Sequence, residues 1–124
     1  MSKAIVRAIT ALELESLINE EGILFVDFWA PWCAPCKQFS DIYERVASLH
    51  EGVVFATINI AEEQECADAF NIQSIPHLMV CKQGIVIYSE AGSMPQSTLS
   101  DLVQQALVAD VTGIRAQLER EEAK

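Results

Sequence analysis

The sequence contains no long hydrophobic run. Its uninterrupted apolar segments, such as residues 23–26, are far shorter than the roughly 20 residues that a helix needs to cross a bilayer. The first ten residues, MSKAIVRAIT, carry basic side chains but lack the apolar region and the small-residue cleavage site that mark a secretory signal. We therefore expect neither a transmembrane helix nor an export signal, and by default a cytoplasmic location.

Basic residues are scarce. The chain of 124 residues has 8 lysines and arginines against 18 aspartates and glutamates, which gives a formal net charge of -10. A surface with this charge repels phosphate backbones and anionic membranes, so we expect no nucleic acid and no membrane among the partners. The simplest role of the acidity is solubility, and the alternative is an electrostatic preference for basic partners.

Cysteine is also scarce, with 4 residues in the whole chain. A disulfide framework is not expected in a chain without an export signal, because thiols in the cytosol are kept reduced. Cys33 and Cys36 nevertheless form a close pair, whereas Cys66 and Cys81 stand alone. The pair raises a choice between redox chemistry and metal binding.

The pattern of apolar residues predicts alternating helices and strands. Thr10 and Glu13 form a T-x-x-E capping box, which predicts a helix over about 10–20. Residues 23–29 and 53–60 are mostly apolar and rich in β-branched side chains, as strands buried on both faces are. The other predicted elements are helices over about 33–50, 66–70 and 95–107, and a hairpin over 77–90 that turns at Lys82-Gln83-Gly84.

This order of elements predicts one α/β domain whose sheet is covered by helices on both faces. The closing hairpin adds antiparallel edge strands, and the segment 4–9 is a candidate for one more strand. We assign residues 1–108 to the domain, because no linker or repeat interrupts them. Residues 109–124 are charge-rich and form a helical tail in which Ile114 and Leu118 share a face.

The close cysteine pair lies where a helix begins after a buried strand. The unpaired N–H groups and the dipole of a helix N-terminus stabilise a thiolate on the first cysteine, Cys33. A second thiol at Cys36 can then displace a substrate from a mixed disulfide. The alternative is a zinc site completed by Cys66 and Cys81, although zinc sites usually repeat the close pair. Those two cysteines are more simply small core residues, with a regulatory thiol at Cys66 as the other interpretation.

Asp27 lies in the middle of the apolar segment LFVDFW. Burial among large apolar side chains disfavours the charged carboxylate, so it raises the pKa towards the range useful for general acid–base catalysis. The alternative is a structural aspartate whose carboxylate is hydrogen-bonded to backbone groups.

Three segments resemble the thioredoxin family: VDFWAPWCAPCK at 26–37, SIPHLMVCKQG at 74–84 and EAGSMPQSTLSDLV at 90–103. The resemblance covers about residues 4–108 and leaves the tail without a counterpart. Its motif residues are Asp27, Trp29, Trp32, Cys33, Pro35, Cys36, Pro76, Gly84 and Gly92. It implies a thioredoxin fold, with a central mixed sheet of about five strands flanked by four helices.

The resemblance also implies roles for individual residues. Cys33 would be the nucleophile, exposed at the helix tip, Cys36 the buried resolving thiol, and Asp27 the group that exchanges a proton with it. Trp32 and Pro76, with Ile75, Ala91 and Gly92, would form the rim on which a target docks. The supporting residues would be Trp29, Ala34, Pro35 and Lys37.

Two expectations conflict at Pro76. An X-Pro bond is cis only about 5–6% of the time, so the sequence alone predicts a trans bond, whereas the resemblance implies a cis bond beside the disulfide. For Trp32 the alternative to an exposed docking residue is core packing.

The chain departs from the family pattern at four positions, one of which is Ser40, where many members have a proline that kinks the helix. Ala34 stands where glycine is usual between the cysteines. Thr57 replaces a lysine near the buried aspartate, which removes a charge that would lower the pKa of Asp27. His77 replaces a common threonine after the proline, and we expect it at the rim, where it adds pH sensitivity.

The function implied is that of a protein-disulfide reductase and dithiol electron carrier. It would hold no bound cofactor or metal and would receive electrons from NADPH through thioredoxin reductase. Its partners would be that reductase and disulfide-containing target proteins, and a monomer is the default. The rival is a binding module, a holdase or subunit, of the same fold. A thiol oxidase or isomerase is disfavoured, since those enzymes act in oxidising compartments.

Overall fold

A computed structural model describes residues 5–20 and 22–122. Within these ranges the elements are β1 (Val6–Ala8), α1 (Ala11–Asn19), β2 (Ile23–Trp29), α2 (Ala34–Ala47), β3 (Val54–Asn59), α3 (Gln64–Ala69), β4 (His77–Lys82), β5 (Ile85–Ala91), α4 (Gln96–Val108) and α5 (Thr112–Glu122). One sheet holds the strands in the order β1-β3-β2-β4-β5. The pairs β1–β3 and β3–β2 are parallel, and the pairs β2–β4 and β4–β5 are antiparallel.

The α/β class and the five-stranded mixed sheet are confirmed. The candidate strand at 4–9 is present as β1, although residue 4 lies outside the described ranges. Four helices flank the sheet as expected, and a fifth, α5, lies in the segment predicted to be a helical tail. No helix in the described part of the chain combines the length and the apolar composition needed to cross a bilayer.

The sheet separates two cores, and this explains the apolar pattern of β2. Phe25 packs on one face with side chains of α2 and α4. Val26 and Phe28 pack on the other face against α1 and α3. Successive side chains of a strand alternate between faces, so Asp27 lies on the face of Phe25, under α2. The carboxyl group of Asp27 therefore lies on the face of the sheet that α2 covers.

Local sequence signals fix several boundaries. The capping box is formed, with the Glu13 N–H donating to Thr10 Oγ1 at 3.2 Å and the Thr10 N–H donating to Glu13 Oε1 at 3.1 Å. The hairpin turns at Gln83 and Gly84, whose φ angles of 52° and 83° are those of a type I′ turn. Gly84 adopts this left-handed conformation without strain, because it has no Cβ.

The C-terminal segment is anchored to the sheet by Lys82 at the end of β4. Its ammonium group donates to the carbonyl oxygens of Ala106 and Leu107, at 2.8 and 3.1 Å, and also to that of Ala109. These carbonyl groups lie at the negative end of α4, where a cation is stabilised. Val111 is buried, which fixes the chain just before α5 begins.

We expect Lys82→Met to lower the free energy of unfolding by about 2 kcal/mol, because three carbonyl groups lose a charged donor. Urea denaturation at neutral pH measures this. Arg7→Met is the matched control, since it removes an exposed cation of β1 and should change stability by less than about 0.5 kcal/mol. Equal effects of the two substitutions would contradict the anchoring role.

Candidate active site

The paired cysteines lie at the N-terminus of α2. Cys33 is the N-cap residue, and its Sγ accepts a hydrogen bond from the Cys36 N–H at 3.2 Å. The two residues are linked by a disulfide, with their Cα atoms 5.3 Å apart. Pro35, in the first turn, has no N–H to leave unpaired. The donor that now contacts Cys33 Sγ is equally available to a thiolate after reduction, and that stabilises the reactive form.

The expectation that Cys33 is exposed at the helix tip is wrong for the disulfide form. Only 7% of Cys33 is exposed, against 2% of Cys36. The reason is that Cys33 Sγ is bonded to Cys36 and also lies 3.8 Å from the carbonyl oxygen of Ile75. Cys33 is still the outer of the two sulfur-bearing residues, so an approaching group meets it first.

The loop before β4 packs against the disulfide. The Ile75–Pro76 bond is cis, as the resemblance implies and contrary to the expectation from the sequence alone. The Gly92 N–H donates to the Pro76 carbonyl oxygen at 2.7 Å, which joins this loop to the end of β5. Gly92 has a φ of +115°, a conformation that residues with a Cβ rarely adopt.

The predicted docking residues are brought together around Cys33. Trp32 is 72% exposed, so the alternative of core packing is wrong. Ile75 is half-buried, Pro76 is buried, and Ala91 and Gly92 are exposed. Their role in binding a target stays a prediction at this point.

Asp27 is buried beneath the start of α2. It is 2% exposed, and its Oδ1 atom has no hydrogen-bond partner among the described residues. Burial raises the pKa of Asp27 from 3.8 to about 8. Its neighbour in the register of β3 is Thr57, which supplies no positive charge to oppose that effect. The orphaned oxygen argues against the alternative of a structural carboxylate saturated by backbone donors.

A cleft of about 310 Å³ connects Asp27 with Cys36. Its lining comprises Val6, Ala8, Asp27, Trp29, Cys36, Lys37, Ser40, Glu44 and Thr57. A cleft of this size has room for several water molecules, and its lining is partly polar. Cys36 and the buried carboxyl group of Asp27 therefore share one space through which a proton can move.

The cleft gives two predicted supporting residues a location and adds residues that the sequence reasoning missed. Trp29 and Lys37 line it, whereas Ala34 is exposed at the first position of α2. Ser40 and Glu44 were not predicted to be site residues. They follow Cys36 at intervals of four residues on one helix face, and this helical spacing is the signal that could have found them.

Cys66 and Cys81 lie in the core formed with α1 and α3, away from the pair. Burial raises the pKa of the Cys81 thiol to about 11. Burial, and then the charge of Glu63, raise the pKa of the Cys66 thiol. Both thiols are free and are poor nucleophiles at neutral pH. In residues 5–20 and 22–122 no three side chains of the His, Cys, Asp or Glu type are grouped to hold a metal ion.

His77 was expected at the rim, but the structure buries it in the core. Its exposure is 8%, and burial lowers the pKa of the imidazole, an effect that the charge of Glu90 opposes. The sequence reasoning placed it at the rim from its position beside Pro76. The first residue of β4 instead points into the sheet core, where its ring meets that of Phe28 edge-on at 6.1 Å.

These features define a class of protein. A cysteine pair at a helix N-terminus after a central strand, a cis-proline loop against it and a buried acid beneath it form the site of a dithiol/disulfide oxidoreductase.

Comparison with known proteins specifies the family. The model of the thioredoxin family matches residues 5–105. The putative thioredoxin 2 of Streptomyces coelicolor is 31% identical over 116 residues, which cover 94% of this chain and 87% of that protein. The thioredoxin of Bacillus subtilis is 36% identical over 90 residues, with 72% and 86% covered. The chain therefore belongs to the thioredoxin family.

Solved structures agree. The oxidised thioredoxin of Plasmodium falciparum has a TM-score of 0.73 and 30% identity, and the match covers 81% of this chain and 96% of that one. A mutant thioredoxin of Halobacterium salinarum, at 21% identity, shares the fold with a TM-score of 0.78 over 89% of this chain and 98% of its own. Family and disulfide together make the protein a protein-disulfide oxidoreductase with a redox-active pair, Cys33 and Cys36.

The tail is not without a counterpart. The match to the Streptomyces protein spans 116 of the 124 residues, so at most 8 residues are unmatched. It therefore includes at least half of the 16 residues at 109–124. The expectation that the resemblance ends at residue 108 is wrong for this relative.

Proposed function

We propose that the protein reduces disulfides of other proteins, with Cys33 as the attacking thiolate and Cys36 as the resolving thiol. The observation that carries this division of labour is the hydrogen bond from the Cys36 N–H to Cys33 Sγ, because it stabilises a thiolate at Cys33. Cys36 lies deeper and beside the cleft that contains Asp27.

The proposed reaction has two displacement steps. In the first, the Cys33 thiolate attacks one sulfur of the target disulfide, the sulfur–sulfur bond of the target breaks, and the other sulfur leaves as a thiolate. In the second, Cys36 loses its proton and attacks Cys33 Sγ. The mixed disulfide breaks, the Cys33–Cys36 disulfide forms, and the target leaves with two electrons more than before.

Asp27 is proposed as the group that takes the proton of Cys36. A base is most effective when its pKa lies near the working pH, and the pKa of Asp27 is about 8. The shared cleft provides the route for the proton, directly or through water. Trp29 and Lys37, which line this cleft, are proposed as supporting residues.

The target is proposed to dock on the apolar surface around Cys33. Trp32 offers a large exposed aromatic face beside the attacking sulfur, and Ala91 and Gly92 are exposed next to Pro76. Side chains of this kind bind apolar segments of many sequences, as a general reductase requires.

The electron donor is proposed to be NADPH, acting through thioredoxin reductase, so that no cofactor needs to be bound by this chain. Residues 1–108 are proposed as the catalytic domain, the monomer as the working form, and the cytoplasm as the location. The family supports these assignments by analogy, and its members' targets are disulfide-containing proteins.

Reduction of insulin by NADPH and a thioredoxin reductase tests the proposal. We expect catalytic amounts of the protein to drive NADPH consumption and insulin precipitation. A binding module of the same fold would bind proteins but leave insulin oxidised, so an inactive wild-type protein with a competent reductase would refute the proposed function.

A further inference from the structure

His77 lies where the proline loop joins β4. It follows Pro76 directly and is the first residue of β4. Its Nε2 atom lies 2.7 Å from Ser89 Oγ on β5, and its Nδ1 atom is buried without a hydrogen-bond partner among the described residues. We assign the ring proton to Nε2, which donates to Ser89 Oγ, because an Nδ1–H would be a buried donor without an acceptor.

This arrangement is a poor way to stabilise a sheet. A buried nitrogen without a partner costs free energy that an apolar or β-branched side chain at the same place would avoid. The ring does not compensate by reaching solvent, because the residue is 8% exposed. Packing in the core therefore does not by itself account for an imidazole at this position.

Three contacts hold residues 75–77 in place, one of them to Cys33 and two of them to the end of β5. The Ile75 carbonyl oxygen lies 3.8 Å from Cys33 Sγ. The Gly92 N–H donates to the Pro76 carbonyl oxygen at 2.7 Å. The His77 hydrogen bond to Ser89 is the third, and it is the one made by side chains. In the strand register His77 is opposite Ala91, so the bond to Ser89 is diagonal and braces the strand end that carries Ala91 and Gly92.

We propose that His77 is a positioning residue for target docking, which acts through its hydrogen bond to Ser89 to hold the exposed end of β5 against the proline loop. It touches neither the target nor the sulfur atoms. Together with the Gly92–Pro76 backbone bond it fixes the distance between Ile75 and Gly92, the two sides of the surface on which a target lies, and it lowers the entropy that docking would otherwise cost.

This inference rests on the proposed function, since it concerns the docking of a protein target. It separates two kinds of substrate. A protein disulfide needs the docking surface, whereas a small aromatic disulfide reagent needs only the Cys33 thiolate. Loss of the His77–Ser89 bond should therefore affect the first and spare the second.

The experiment compares the wild type with His77→Thr, Ser89→Ala and the control Ser97→Ala, an exposed serine of α4. We expect the KM for insulin to rise roughly threefold or more in the first two variants, with kcat within about twofold of the wild type. The rate with the small disulfide should stay unchanged in all, and Ser97→Ala should match the wild type throughout.

Either of two results would overturn the inference: an unchanged KM for insulin in folded Ser89→Ala, or an equal loss with protein and small disulfides. Ser89→Ala decides the question alone if His77→Thr does not fold. An inactive wild type would instead refute the proposed function, so the two failures are distinguishable.

Discussion

Replacement of Cys33 by serine is expected to abolish reduction of protein disulfides, by at least about a thousandfold, because a hydroxyl group cannot replace the attacking thiolate. Cys36→Ser is expected to lose turnover as completely but for another reason. Its Cys33 thiolate still attacks a target, but no thiol at position 36 follows to release it. This variant should therefore accumulate as a mixed disulfide with the target.

Insulin turnover and electrophoresis without reductant measure both effects. Cys66→Ala and Cys81→Ala are the matched controls, because these cysteines are buried in the other core and their raised thiol pKa values keep them unreactive. We expect both controls to retain turnover. A trapped complex with Cys33→Ser in place of Cys36→Ser would reverse the assignment of nucleophile and resolving thiol.

Asp27→Asn is expected to make the oxidised protein more stable at alkaline pH. The pKa of Asp27 is about 8 in the folded chain, against 3.8 when the side chain is solvated. Between these values the folded state binds more protons than the unfolded state, so the contribution of Asp27 to stability is lost as the pH rises from about 4 to 8. The loss amounts to on the order of 5 kcal/mol. Asparagine does not ionise and shows no such loss.

Urea denaturation of wild type and Asp27→Asn at a series of pH values isolates the contribution of Asp27 to the free energy of unfolding, since all other titratable groups are common to both. The difference in the free energy of unfolding should be smallest near pH 4 and largest above pH 8. Ser97→Ala, which removes no titratable group, should give a flat difference. A flat difference for Asp27→Asn as well would show that the carboxyl group is not buried in the protonated form.

The same substitution should slow insulin reduction near neutral pH by about tenfold, because Cys36 then lacks its proposed proton acceptor. The rate at which the Cys33 thiolate attacks a small disulfide should change little. A pH–rate profile identical to that of the wild type would remove Asp27 from the mechanism.

Much of the fold could be predicted because its signals are local. The capping box at Thr10 and Glu13 and the Gln83–Gly84 turn depend on contacts within a few residues. The apolar segment 23–29 indicates a central strand, since burial on both faces leaves no room for alternation. Asp27 could be identified from the sequence because an ionisable carboxyl group is not expected within a buried apolar strand.

The rest depends on contacts between distant parts of the chain. Burial of Cys33 arises from Ile75, 42 residues later, and burial of His77 arises from the sheet around it. The cis bond before Pro76 has no local signal and was found through family resemblance alone. The cleft that brings Ser40 and Glu44 to Asp27 exists only once α2 covers the sheet.

The most direct test of the account is a single turnover without reductase. Reduced protein is mixed with excess insulin, and the reaction is quenched with acid. Free thiols are then alkylated, and the masses of the peptides are measured by mass spectrometry. We predict one Cys33–Cys36 link for each insulin disulfide lost, with Cys66 and Cys81 alkylated throughout. Insulin thiols that appear without this link, or with links through Cys66 or Cys81, would contradict it.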